Sequence, residues 1–215
     1  MQKLSPTRRR FGALALGLAA LLLAVFPLIR PFYPLDPTAP AATLTVASPA
    51  VTSAPWVVAH LLCMLAFVML LYGVLILYAH LAHGHAEPRA FWAMVCSVAG
   101  IGLILPMLGV ETYILPIIGK LYLTGHTDIA PAFGMIYLGP ALVVFVLGLV
   151  LLALGAVTWA AAIWRSAVLP RGAGVLLATG LALWFPPFPR VIRVIDGLLI
   201  GLGGVWLARS LWQQI

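Results

Sequence analysis

Apolar residues run in long stretches with neither the two-residue alternation of a half-buried strand nor the narrow stripe of a soluble amphipathic helix. Polar residues gather where the runs end. A hydrocarbon core about 30 Å thick takes roughly 20 apolar residues per helix, and this spacing predicts an all-α, polytopic transmembrane bundle of about six spans. The expected spans lie near 11–29, 56–82, 90–110, 132–164, 172–187 and 191–212, within a single integral membrane domain covering 1–215. Between the first two, residues 30–55 are rich in Pro, Ala, Ser and Thr. They read as an extended extracytoplasmic loop, because a helix does not continue past such prolines.

Composition agrees with the pattern. The chain is 64% hydrophobic and 8% charged, with a mean hydropathy of +1.14, whereas soluble domains are roughly a quarter charged. The formal charge of +7 does not indicate nucleic acid, since the cations are dispersed at the ends of apolar runs. They act instead as topology signals. Arg8, Arg9, Arg10, Arg89, Arg165, Arg171 and Arg209 fall on one side of the expected membrane, against Arg30, Lys120, Arg190 and Arg193 on the other. This bias predicts both termini in the cytoplasm, and the general pattern resembles that of polytopic bacterial membrane proteins, which implies a multi-pass protein of the inner membrane.

The basic start before Phe11 resembles a secretory leader, but the apolar run to Ile29 is long enough to span, and no small-x-small site follows it closely. An uncleaved first helix is expected. Both cysteines fall inside expected spans. Their depths differ by roughly 10 Å at 1.5 Å per residue, beyond the approximately 7 Å limit for a bridge, so no disulfide is expected between Cys63 and Cys96.

Within "LILPMLGVETYILPIIGK", Glu111 is the exceptional residue. Pro106 bends the preceding helix, and Glu111 is expected to close the third span near the extracytoplasmic interface, followed by a helical continuation or a short interfacial segment. By depth it joins His60, Arg190, Arg193 and Asp196 in a candidate polar cluster, because ionisable groups bordering hydrocarbon take partners. One reading makes the cluster a brace, with Glu111 paired to Arg190 or Arg193, and Asp196 paired to Arg193 at i,i+3. The other makes Glu111 a proton-handling or cation-binding group beside His60.

No metal site or cofactor is expected. His60, Glu111, His126 and Asp128 are acceptable ligand types, as are His80, His83 and His85 with Glu87, but neither group has HExxH or paired CxxC spacing. A bis-histidine haem lacks a second histidine on a neighbouring span. Phosphate-binding, dinucleotide-binding and nucleophile-elbow motifs are absent. Gly197, Gly201 and Gly204 form a small-residue side on the last span that suits helix packing, within the bundle or against another subunit.

The functional expectation is a non-catalytic accessory subunit or scaffold of a membrane assembly. Its partners are membrane lipids and a membrane protein or second copy, and nucleic acid is excluded. The alternatives are a small solute or proton-coupled transporter with an outer polar vestibule, and a membrane-embedded enzyme acting on lipid at the extracytoplasmic face.

Overall fold

The computed structural model describes residues 5–82, 84–184 and 188–214, and helix is the only regular secondary structure among them. The helices are α1 (Pro6–Ile29), α2 (Pro40–Val51), α3 (Ala54–Leu81), α4 (Glu87–Gly109), α5 (Leu115–Leu123), α6 (Ala130–Leu138), α7 (Pro140–Ser166), α8 (Arg171–Leu183) and α9 (Arg190–Gln213). A π-helical turn, Val110–Ile114, joins α4 to α5, and a 3-10 turn, Thr127–Ile129, precedes α6.

Proline starts these helices more often than it stops them. Every helix from α1 to α7 carries proline at its first or second position, where the missing N–H has no intrahelical partner to lose. Ser5 and Ser53 add side-chain caps at α1 and α3. This explains the first departure from expectation: the 30–55 segment is extended only to Ala39, and Pro40 then starts the twelve-residue α2. Thr43 fastens the extended part to α2. Its hydroxyl donates to the Asp36 carbonyl at 2.7 Å and accepts from the Asp36 N–H at 3.2 Å.

Of the two alternatives expected after Glu111, the helical continuation is the one found: the path runs through the π turn and α5 to Leu123, a run of 37 residues from Glu87. The fourth expected span is divided at Gly139, whose extended backbone (φ −91°, ψ −175°) separates α6 from α7. Pro140 disfavours helical geometry at the residue before it.

Among the described residues, five segments are long and apolar enough to cross a membrane: Pro6–Ile29, Ala54–Leu81, Glu87–Leu123, Thr127–Ser166 and Arg190–Gln213. The segment expected at 172–187 is different. Its described helix, α8, has 13 residues, about 20 Å at 1.5 Å per residue; residues 185–187 lie outside the described residues.

Six helices form a closed ring in the order α1, α3, α4, α7, α8, α9 and back to α1. At one end α2 lies against α5 and α6; we call this the α2 end. The ring closes through small residues. A Cβ at Gly204 would collide with the Ala20 Cβ of α1, and one at Gly201 would lie 3.0 Å from the Cβ of Ala24. The glycine side of α9 therefore packs inside the chain, and Gly197 approaches Pro27 and Ala24 likewise. Gly100 and Gly148 bring α4 and α7 to backbone contact. One turn further along, the buried Ser97 hydroxyl accepts the Trp159 indole N–H at 3.1 Å and donates to Ala93. Cys63 and Cys96 are free thiols.

Candidate functional site

The π turn determines how Glu111 is presented. Leu115 N–H bonds back to the Val110 carbonyl, five residues away, and Pro116 offers no N–H to the turn before it. The Glu111 carbonyl is thereby available to another helix, and the Trp56 indole N–H of α3 donates to it at 2.8 Å. Such turns recur at functional positions.

On α3, Trp56 and His60 lie one helical turn apart, with ring centroids 4.2 Å apart. His60 Nδ1 stands 2.8 Å from the Trp56 carbonyl. A carbonyl only accepts, so Nδ1 carries the proton. Nε2 is left facing Glu111 Oε2 at 3.2 Å, off the line of a well-formed hydrogen bond, so the contact is chiefly ionic. His60 is fully buried and Glu111 is 8% exposed. On the other carboxylate oxygen, Tyr137 of α6 donates its hydroxyl to Oε1 at 3.1 Å.

Tyr33, in the extended segment after α1, adjoins this group. Its ring is half-buried while the hydroxyl is enclosed. Burial pushes its pKa up to about 12, with the Glu111 carboxylate acting in the same direction and Arg30 opposing it.

The second buried pair is Arg193 with Asp196 on α9, at 3.0 Å. Among the described residues, Asp196 Oδ1 has no hydrogen-bond partner, nor does the Trp184 indole N–H. The Arg193 guanidinium rests 4.8 Å from the Trp184 ring centre. Trp184 in turn meets Phe67 edge-on at 5.0 Å. Glu111 thus takes neither Arg190 nor Arg193 as its ion-pair partner, and His60 fills that place. A void of about 10 Å³ separates the two pairs, lined by Phe26, Arg30, Leu108, Glu111, Phe145, Trp184 and Arg193. This is about the room that one water needs.

Above it opens a cavity of about 480 Å³, within the roughly 300–1,000 Å³ of ordinary small-molecule pockets. Glu111, Tyr33 and Tyr137 contribute its carboxylate and hydroxyls. Met107 of α4 and Leu142, Phe145 and Val146 of α7 contribute apolar wall, with Leu35, Pro34 and Pro37 from the extended segment. Arg30, Phe32, Phe188, Pro189 and Arg190 complete the lining. Its position follows from the short α8. The two neighbours of α8 in the ring, α7 and α9, contribute wall residues, while Trp184, just past the end of α8, lines the void beneath.

The remaining candidates stand apart from this cavity. His80 lies at the other end of α3, twenty residues from His60, or about 30 Å along the helix. His85, His126 and Asp128 are exposed, and His83 lies outside the described residues. Among the described residues, no three His, Cys, Asp or Glu side chains come together as a metal site. Sequence reasoning missed Trp56, Tyr33 and Tyr137 as members of the site. The i,i+4 spacing of Trp56 and His60 was a legible signal; the tyrosines had none, because tertiary packing alone brings them to Glu111.

The class defined by the described residues is an all-helical bundle with five apolar helices of membrane-spanning length and a buried polar group beneath a cavity at one end. Comparison of the chain with models of protein families, with curated proteins and with solved structures finds no match.

Proposed function

We propose that this is a multi-pass protein of the bacterial inner membrane whose working site is the cavity at the α2 end. There it holds an amphiphilic molecule drawn from the bilayer, as a non-catalytic accessory protein serving a membrane assembly. The observation that carries this reading is the cavity of about 480 Å³ itself, with apolar walls, a polar floor and a position beyond the end of the short α8. The arginine distribution supports six crossings with α8 as the short one, both termini cytoplasmic and the α2 end extracytoplasmic. Membrane lipids are its immediate partners, and another membrane protein or a second copy is the partner it serves.

A catalytic reading has one observation in its favour: Glu111 reaches the cavity with His60 behind it, an arrangement suited to proton transfer on a bound lipid.

The test is photolabelling of the intact protein in phosphatidylcholine nanodiscs with a diazirine-bearing alkyl lipid, mapped by mass spectrometry. Labels on Leu142, Phe145 and Val146 that disappear in Val146→Trp are expected. Uniform labelling of the lipid-facing helix surfaces, unchanged by Val146→Trp, refutes the reading. Turnover of the bound lipid, lost in Glu111→Gln, would decide for the catalytic alternative.

A further inference from the structure

The cavity rim carries two guanidinium groups that form no ion pair with the buried polar group among the described residues. Arg30 and Arg190 both rest on the ring of Phe32, at 5.2 and 5.5 Å from its centre. Arg30 also lies 4.6 Å from the centre of the Trp56 ring. Aromatic faces hold a guanidinium in place without neutralising it. Among the described residues neither arginine has a carboxylate within ion-pairing distance, the two ion pairs being His60–Glu111 and Arg193–Asp196.

Arg190 is also the first residue of α9, which follows Pro189 and has no side-chain cap. The first N–H groups of a helix lack intrahelical acceptors, and the helix dipole adds positive potential there. Two arginines and the start of a 24-residue helix therefore converge on one rim of the cavity. The one carboxylate in its lining, Glu111, is turned to His60 and Tyr137.

Resting on the reading of the cavity as an amphiphile site, we propose that its ligand is anion-headed, with a phosphate or carboxylate held between Arg30, Arg190 and the start of α9. The alkyl chain lies along Leu142, Phe145 and Val146. Planar guanidinium groups suit both oxyanions through paired N–H bonds. The uncapped helix start favours the same charge.

The experiment compares three diazirine-bearing probes of equal chain length in phosphatidylcholine nanodiscs containing the full chain: an alkyl phosphate, an alkyl alcohol and an alkyl trimethylammonium. The alkyl phosphate should label the α7 wall about tenfold or more over the other two, as expected for charge-assisted hydrogen bonds. Arg190→Gln, an exposed position, should bring its labelling towards that of the alcohol while the protein elutes and melts as before. Arg30→Lys, which keeps the charge and loses the paired geometry, should give an intermediate result. Equal labelling by phosphate and alcohol overturns the anionic head and leaves the amphiphile site standing. No wall labelling by any probe overturns both. Complete displacement of the alkyl phosphate by millimolar inorganic phosphate shows a free-anion site and overturns the amphiphile.

Discussion

Trp56 donates its indole N–H to the main-chain carbonyl of Glu111 at 2.8 Å, so a side chain of α3 completes the hydrogen bonding of a π turn between α4 and α5. The same Trp56 accepts the His60 Nδ1 proton on its own carbonyl. One residue thus sets both the backbone that carries the carboxylate and the ring that faces it.

Trp56→Phe keeps most of the buried aromatic surface and removes only the donor. A buried acceptor left without a partner costs about 1–3 kcal/mol, so this variant should unfold at lower denaturant in detergent by that amount. An unchanged midpoint would mean that water replaces the indole at Glu111.

His60 and Glu111 should behave as a unit. Removing one member of a buried ion pair costs about 3–5 kcal/mol, chiefly because the other charge remains buried. His60→Leu is expected to be destabilising on that scale, and adding Glu111→Gln should restore part of the loss, because the amide still accepts from Tyr137. Simple additivity of the two substitutions, measured by chemical unfolding in detergent, would show that the two side chains are not coupled.

The helical class was legible from the sequence, because apolar runs of membrane-spanning length leave helix as the regular structure that satisfies the backbone; of the five residues expected in one outer cluster, Arg190 is exposed. His60, Glu111, Arg193 and Asp196 are all buried. The choice of partner was not legible. Similar depth allowed Glu111 either an arginine or His60, and the register between α3 and α4 places His60 there. The prolines of the 30–55 segment misled for a definite reason: Pro40 reads as an interruption, yet proline interrupts only the turn preceding it and is well suited to begin a helix. Gly139 and the π turn were equally hidden, since both depend on how the neighbouring helices pack.

Tyr33 supplies the pH dependence. Its pKa is about 12 in the folded protein against about 10 in an unfolded chain. A raised pKa contributes stability that is fully present below about pH 10 and is lost as the pH rises through about 12, because the unfolded state releases the proton first. Absorbance titration should show less tyrosinate forming between pH 10 and 11 than in a denatured sample, and Tyr33→Phe should narrow the difference. Tyr33→Phe should flatten the fall in stability across that interval. Ordinary titration of all six tyrosines would place the Tyr33 hydroxyl in solvent.

The ring closure can be tested at two glycines that differ in surroundings but share a substitution. A Cβ at Gly203 of α9 would run into the backbone nitrogen of Leu177 and stand 2.8 Å from the Ala173 carbonyl of α8. A Cβ at Gly102 of α4 meets nothing within 4 Å. Gly203→Ala must therefore push two backbones apart, an overpacking cost of about 1–3 kcal/mol, whereas Gly102→Ala should gain about 0.5–1 kcal/mol from helix propensity. Because the obstacle at Gly203 is main chain, no side-chain rotation relieves it. The displacement has to be taken up by α8, whose end lies beneath the cavity. Gly203→Ala should accordingly change probe labelling of the α7 wall as well as the unfolding midpoint, and Gly102→Ala should leave labelling unchanged. If both variants melt alike, α8 and α9 are not packed backbone to backbone, and the ring is open at that seam.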